Sequence, residues 1–180
     1  MTIDTNTIFI SNRFRQIELN IINMAWELFS TNTLFDDIYI DNFMDNSGIN
    51  ENLSIYQYDV NNNYIEMLIP TIDITLITNV WVSTFTNPAA SYCFIKLILP
   101  SNNYDLQSYI SVDNGQNFYE YSNLYEYLSF TSIINNLDIV YLRGDVVDIP
   151  QTDDNRIIFK ITTSNLNNVY IDAISFGLSY

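Results

Sequence analysis

Apolar residues recur with a helical period near the N-terminus and with a strand period through the rest of the chain. Between Ser11 and Ser30 they return every three or four positions, the spacing of one face of an α-helix. The stripe consists of Phe14, Ile17, Ile21, Met24 and Leu28. We therefore predict one amphipathic helix in an N-terminal segment, residues 1–35.

The predicted helix admits two interpretations. It packs on the protein's own core, or it forms a short coiled coil that joins copies of the chain or other subunits. Two heptads are fewer than a coiled coil usually shows, but the apolar stripe is wide enough for both uses. We take the five stripe residues as the predicted interface of a homo-oligomer.

Residues 36–63 are acidic and rich in turn-forming residues, and they lack a helical period. They predict a linker with short extended pieces, in which Gly48 permits a turn. An asparagine run, Asn61–Asn63, closes this segment and precedes the most apolar part of the chain.

Residues 64–180 show the pattern of strands separated by turns, without intervening helical periodicity. Their even spacing predicts a mainly β fold, an antiparallel β-sandwich or jelly roll of seven or eight strands. The predicted strands are 65–69, 72–85, 92–99, 109–112, 117–121, 137–142, 156–162 and 169–176.

One hairpin is marked by its turn residues. Asp113-Asn114-Gly115 lies between two stretches of strand-forming residues. Asn-Gly is favoured where both central residues of a turn need a positive φ, as in type I′ turns.

Composition excludes several classes of function. The 180 residues include 21 Asp and Glu, 6 Lys and Arg, one cysteine and no histidine, giving a formal charge of −15. Without imidazole there is no Ser-His-Asp or Cys-His pair and no histidine-ligated metal. Cys93 has no intramolecular disulfide partner, and its apolar neighbours predict a small buried side chain.

The acidic balance also argues against nucleic acid and anionic membranes as partners, because phosphate binding relies on Lys and Arg. No apolar stretch reaches the roughly 18 residues of a membrane span, and the first residues lack the basic region of a signal peptide. We expect a soluble protein made in a cytoplasm.

Carboxylates are abundant enough to be candidates for catalysis and for calcium binding. The strand-embedded candidates for an acid–base pair are Glu66, Asp73, Asp138 and Asp172. The richest acidic loops are Asp153–Asn155 and the group Asp36, Asp37, Asp41 and Asp45, and neither fits a calcium-loop pattern. Solvated surface residues explain both sets, so no catalytic residue, metal ligand or cofactor is predicted.

The aromatic segment 118–127 is the most suggestive surface. Tyrosine rings beside Asn, Gln and Asp can stack on sugar rings while the polar groups bind hydroxyls, although tyrosine is also common in strands and interfaces. The predicted glycan contacts are Tyr119, Tyr121, Tyr125 and Tyr127.

The order of these features resembles a known class of proteins. A short N-terminal helix is followed by Asp41-Asn42-Phe43-Met44-Asp45-Asn46-Ser47-Gly48-Ile49 and then by a β-rich part with the hairpin Ile110–Phe118. This resembles tail- and fibre-associated structural proteins of tailed bacteriophages, in which a D-x-F-x-D-x-S-G-I linker precedes a sandwich.

The resemblance implies a non-enzymatic, oligomeric component of a phage tail, fibre, baseplate or head decoration. Its location would be the virion, and its partners other virion proteins and, in attachment, a host-surface glycan. The alternative hypothesis is a carbohydrate-binding β-sandwich that recognises cell-surface glycans. A glycan-cleaving enzyme with two carboxylates ranks third.

Overall fold

The protein is described by a computed structural model, which covers residues 37–41, 45–59, 64–66, 74–84, 86–99, 105–131, 137–147, 149–163 and 170–180. These residues form twelve strands. The strands are β1 (Asp37–Asp41), β2 (Gln57–Asp59), β3 (Tyr64–Glu66), β4 (Ile74–Ile77), β5 (Trp81–Val82), β6 (Ala90–Leu99), β7 (Leu106–Ser111), β8 (Tyr119–Glu120), β9 (Ser122–Thr131), β10 (Asp138–Val147), β11 (Arg156–Thr163) and β12 (Tyr170–Ser179).

The predicted N-terminal helix and its interface stripe lie outside the described residues. The stripe is Phe14, Ile17, Ile21, Met24 and Leu28. Both interpretations of the helix, and the homo-oligomer, therefore stay predictions. In the part of the chain that the structure describes, no helix has the length and apolar character needed to cross a membrane.

The strands assemble into two antiparallel sheets. The larger sheet has the order β2-β3-β12-β6-β10-β9, and β1 also pairs with β12. The smaller sheet has the order β4-β11-β7-β8, and β5 also pairs with β11. The predicted antiparallel, mainly β architecture is confirmed.

Apolar side chains from both sheets meet in one core, which makes the fold a β-sandwich. Phe159 of β11 stacks on Phe176 of β12, with ring centroids 3.4 Å apart and ring planes 8° from parallel. Both rings are fully buried. The jelly-roll connectivity suggested by the sequence stays a prediction.

The described residues of the predicted linker, 36–63, belong to the sandwich. β1 pairs with β12 over its whole length, and Ile49 is a buried core residue. The acidic side chains serve the fold here, because Asp37 accepts hydrogen bonds from the Ser83 hydroxyl at 2.9 Å and the Thr84 amide at 2.8 Å. The polar composition of this segment therefore gave no indication of β1, a strand whose Asp37 carboxylate bonds to residues 83 and 84.

The turn predicted from Asn-Gly is present. Asn114 has a φ of 59° and Gly115 a φ of 85°, and the Gln116 amide donates a hydrogen bond to the Asp113 carbonyl at 3.5 Å. The flanking strands β7 and β8 pair with each other. The loop between them, residues 112–118, is longer than the two-residue connection that Asn-Gly usually makes.

The larger sheet has two distinct faces. Along β6, Cys93, Ile95 and Leu97 belong to the core between the sheets. The intervening Phe94 and Lys96 lie on the outward face and are also buried, and Lys96 forms an ion pair with Asp172. The register of β10 and β9 extends this outward face toward the edge of the sheet.

Candidate functional site

Two irregularities in β9 decide where its tyrosines point. The pairing of β9 with β10 shifts register between Tyr141 and Leu142 and again between Arg143 and Asp145. Bulges of this kind insert an extra residue and redirect side chains. Leu124 consequently packs against the core, while Tyr125, the next residue, lies opposite Arg143 on the outward face.

Two rows of side chains cross the outward face at this edge. Since directly paired residues in an antiparallel sheet share a face, one row runs from Phe94 through Arg143 to Tyr125. The neighbouring row runs from Tyr92 through Asp145 to Ser122.

Two tyrosine rings on this face are exposed. Tyr125 is 44% exposed and Tyr127 is 53% exposed. Tyr127 contacts the buried Phe94 edge to face, with centroids 6.4 Å apart and planes 84° apart. This contact fixes one edge of the Tyr127 ring and leaves much of the ring in solvent.

A cation and an anion lie beside the rings. The Arg143 guanidinium carbon is 5.7 Å from the centroid of the Tyr92 ring, a cation–π arrangement. Asp145 lies two residues further along the same face of β10, and both charged side chains are half-buried. We call Tyr92, Tyr125, Tyr127, Arg143 and Asp145 the tyrosine surface.

The tyrosine surface combines ring faces for stacking with hydrogen-bonding groups that are held in place. An exposed tyrosine ring offers an apolar face, and a carboxylate accepts hydrogen bonds from hydroxyl groups. The arrangement can bind a flat, polyhydroxylated ligand.

The structure divides the four tyrosines predicted as glycan contacts. Tyr125 and Tyr127 are on the tyrosine surface, but Tyr119 packs against the core and Tyr121 is only 2% exposed. The Tyr121 hydroxyl is 2.6 Å from Ser91 Oγ, and burial raises the pKa of Tyr121. The prediction of Tyr119 and Tyr121 as glycan contacts is therefore wrong. Both side chains point toward the core, Tyr119 from β8 and Tyr121 from the residue between β8 and β9.

The strand-embedded carboxylates are engaged separately where their side chains are described. Asp172 pairs with Lys96, and Asp138 accepts a hydrogen bond from the Thr131 hydroxyl at 2.7 Å. Asp73 and the side chain of Glu66 lie outside the described residues.

The described carboxylates of the acidic loops accept hydrogen bonds from residues close to them in sequence. Asp154 accepts hydrogen bonds from Arg156 at 2.6 Å and 2.8 Å, and this neighbour lowers the pKa of Asp154 to about 2. Asp45 accepts from the Ser47 amide, and Asp41 from the Tyr39 hydroxyl. Among described residues, no group of three or more potential ligands gathers as a metal site.

Comparison with known proteins gives a likeness only in structure. A scan against protein-family models and a search of curated proteins found no match. The chain is similar to CBM35 from Cellvibrio japonicus Abf62, with 12% identity and a TM-score of 0.49 over 80% of this chain and 95% of that one.

The chain is also similar to two other solved structures, at lower TM-scores. The CBM22-1 xylan-binding domain from Paenibacillus barcinonensis Xyn10C has 11% identity and a TM-score of 0.47, covering 79% of this chain and 94% of that one. The enzymatically active domain of bacteriophage CBA120 tailspike protein 4 has 10% identity and a TM-score of 0.38, covering 79% of this chain but 19% of that one.

The leading functional expectation, a structural component of a bacteriophage particle, is wrong. The solved structures to which this chain is similar are mostly carbohydrate-binding modules. The short motifs behind the phage resemblance are fold features here. Gly48 lies against Tyr39 and Asp41 of β1, Ile49 is a buried core residue, and Asn114 and Gly115 form a turn. The case for a ligand comes from the tyrosine surface of this chain.

Sequence reasoning missed three members of that surface. Tyr92 begins the predicted strand 92–99, to which no function is assigned, whereas Arg143 and Asp145 follow the predicted strand 137–142 and lie in the part of β10 that extends beyond it. Alternation in β6 and β10 places them opposite the core residues, but which strands are neighbours could not be obtained from alternation alone.

Proposed function

We propose that this protein binds carbohydrate at the tyrosine surface and does not cleave it. The observation that carries the proposal is the pair of exposed rings, Tyr125 and Tyr127, on the outward face of the larger sheet. A sugar ring lies on a tyrosine face through its C–H groups, while its hydroxyls donate hydrogen bonds to carboxylate oxygens such as those of Asp145.

The sheet favours carbohydrate binding at the tyrosine surface because side chains of that surface already contact each other or the sheet without a ligand. Arg143 is held against Tyr92, and Tyr127 against Phe94. Ordered side chains lose less conformational entropy on binding, so more of the contact energy becomes affinity.

The two candidate carboxylates whose side chains are described, Asp138 and Asp172, support binding without cleavage. Glycosidases use two carboxyl groups about 5 to 9.5 Å apart on either side of the scissile bond. Of the candidates, Asp172 is tied to Lys96 and Asp138 to Thr131, and neither belongs to the tyrosine surface.

The test is titration of the protein with a panel of soluble oligosaccharides and polysaccharides, followed by calorimetry on those that bind. We expect Tyr125→Ala and Tyr127→Ala each to weaken binding about tenfold, which corresponds to about 1.4 kcal/mol. Reducing-end assays on the same ligands should show no hydrolysis.

Tyr109→Ala is the matched control. Tyr109 lies on the outward face of the smaller sheet, where its ring contacts Lys160 at 5.0 Å. This variant should bind like the wild type. Absence of binding to every glycan in the panel, or equal losses in all three variants, would reject the proposal.

A further inference from the structure

One row of side chains on the outward face of the larger sheet is buried in its middle and exposed at both ends. Because residues paired in register share a face, the row runs through Ile40, Ser175, Phe94, Arg143 and Tyr125. Ile40 of β1 is 56% exposed and Tyr125 of β9 is 44% exposed. Ser175 and Phe94, between them, are only 4% and 5% exposed. The middle of this face is therefore covered, whereas its two edges are open.

The neighbouring row is buried over the same strands. Ala173, Lys96 and Tyr141 are paired across β12, β6 and β10, and none of them is more than 8% exposed. A lysine on an open sheet face extends its ammonium group into water. Lys96 is instead buried and pairs with the Asp172 carboxylate. Burial of two adjacent rows indicates a layer of protein over β12, β6 and β10.

The described residues do not supply this layer. All twelve strands belong to the two sheets, and the smaller sheet packs on the core side of the larger one. The described loops bond to the smaller sheet or to strand ends, as Ile55 does to Thr75 and Ile149 to Ala89. The longest stretch between described residues, 67–73, has seven residues, whereas 36 residues precede β1. Only the N-terminal part is long enough to extend along the whole face.

We infer that residues 11–30 of the same chain form the predicted helix and cover the middle of this face. The side in contact with the sheet is the apolar stripe Phe14, Ile17, Ile21, Met24 and Leu28. A helix of this length extends about 30 Å, close to the roughly 33 Å of the ten-residue strands β6, β10 and β12. Its width of about 10 to 12 Å covers two to three strands spaced about 4.8 Å apart, which leaves β1 and β9 open.

The position of β1 makes the same chain the source of the helix. β1 begins at Asp37 and pairs with β12, whose other neighbour over this length is β6. Residues 31–36 reach about 20 Å when extended, and β1 lies about 10 Å from β6. The stripe can therefore reach the covered strands without a second copy of the chain. This inference does not depend on the proposed function.

Thiol labelling of cysteines introduced into the first row tests for the cover. Ser175→Cys replaces one side-chain atom under the inferred helix, and Ile40→Cys places a thiol on the next strand of the same row, outside the helix. We expect Ser175→Cys to react at least about a hundredfold more slowly than Ile40→Cys, because it reacts only when the helix opens. Equal rates would show that the face is open and would overturn the inference.

Ile21→Asp and Asn23→Asp identify the covering segment. Ile21 belongs to the stripe and Asn23 lies on the opposite side of the predicted helix, so both substitutions add the same charge but only the first buries it. Combined with Ser175→Cys, we expect Ile21→Asp to accelerate labelling at least about tenfold and Asn23→Asp to change it less than about twofold. Equal effects, or no effect of Ile21→Asp, would overturn the inference.

The buried Cys93 distinguishes release of the helix from unfolding of the sandwich. In the Ile21→Asp protein, Cys93 should label as slowly as in the wild type. Where Cys93 also reacts, Ile21→Ala repeats the comparison with a milder change, and we expect labelling at position 175 to rise at least about threefold with Cys93 unchanged. Parallel increases at both positions in Ile21→Ala would place the stripe in the sandwich core and overturn the inference. Labelling at position 175 that accelerates on dilution would overturn it too, because the helix of a second copy would then cover the face.

Discussion

Two tyrosines four residues apart have opposite roles in this fold. Tyr121 is enclosed in the core, with its hydroxyl 2.6 Å from Ser91 Oγ, and that serine in turn donates to the Gly177 carbonyl at 3.0 Å. Tyr125 is 44% exposed on the outward face. The difference comes from the local path of the backbone, because both residues sit among similar neighbours in sequence.

Removing the hydroxyl of each tyrosine separates the two roles. Tyr121→Phe leaves the buried Ser91 hydroxyl without one partner, so we expect a loss of about 1 kcal/mol in the free energy of unfolding. Tyr125→Phe changes an exposed group and should stay within about 0.5 kcal/mol of the wild type. Urea denaturation of both variants measures the effect, and equal stabilities would contradict the assignment of Tyr121 to the core.

At the scale of elements, the turn between β7 and β8 depends on both its backbone and its carboxylate. Gly115 has a φ of 85°, and a Cβ there would also lie 3.3 Å from Ile158 Cδ1. Asp113 accepts hydrogen bonds from the Ser111 hydroxyl at 2.7 Å and from the Asn117 amide at 2.9 Å. The Asp113 carboxylate thereby connects the last residue of β7, Ser111, to Asn117, which precedes β8.

Substitutions at the two positive-φ positions should differ in their effect on stability. Gly115→Ala imposes a left-handed conformation on a residue with a Cβ, so we expect it to destabilise the protein by about 1 to 2 kcal/mol. Asn114→Gly is the matched change, and it should be neutral within about 0.5 kcal/mol because glycine tolerates the same φ. Thermal unfolding of the pair tests this, and an unaffected Gly115→Ala variant would refute it.

The Asp113 carboxylate gives the turn a pH dependence. Burial raises the pKa of Asp113, but the hydrogen bonds from Asn117 and Ser111 outweigh it, so the pKa is lower than the usual value. A carboxylate with a lowered folded-state pKa stabilises the protein fully above the unfolded-state pKa of about 3.9, and loses this contribution as pH falls through the folded-state value.

The difference in unfolding free energy between the wild type and Asp113→Asn should therefore be largest near neutral pH. We expect it to shrink as pH falls below about 4, where the wild-type carboxylate becomes protonated. Denaturant titrations at several pH values measure the difference. A difference that stays constant down to the lowest accessible pH would show that the charge of Asp113 does not stabilise the turn.

At the scale of the whole molecule, the single cysteine reports on the integrity of the sandwich. Cys93 of β6 is completely buried in the core between the two sheets, and burial raises the pKa of its thiol to about 12. The thiol reacts as the thiolate, so the folded protein should be inert toward thiol reagents. Gly144 packs against it, and a Cβ at Gly144 would lie 3.2 Å from Cys93 Sγ and 2.9 Å from Leu124 Cδ2.

Thiol labelling at mildly alkaline pH should be slow without denaturant and complete after unfolding. Gly144→Ala should accelerate the labelling, because overpacking destabilises cores by about 1 to 3 kcal/mol and raises the open population. The rate of release of a chromogenic thiol reagent measures both. Rapid labelling of the native wild type would contradict the packing around Cys93.

Sequence and structure agree best where a residue's own chemistry decides its conformation. Asn114 and Gly115 predicted their turn because few other residues accept a positive φ, and the apolar run around Cys93 predicted a buried strand. The acidic composition of 36–63 predicts a linker and gives no sign of β1, because β1 forms by pairing with β12, more than a hundred residues away.

By itself the sequence determined a mainly β chain, a buried cysteine, a tight turn and an acidic surface without histidine chemistry, since these follow from local periodicity, composition and backbone preference. The tertiary structure decided which strands are neighbours and which tyrosines face solvent. Pairing of β6, β10 and β9 brings Tyr92, Arg143 and Tyr125 together, and the bulges of β9 reverse the faces that strict alternation would assign. Alternation is a property of one strand, whereas a binding surface is a property of the register between strands.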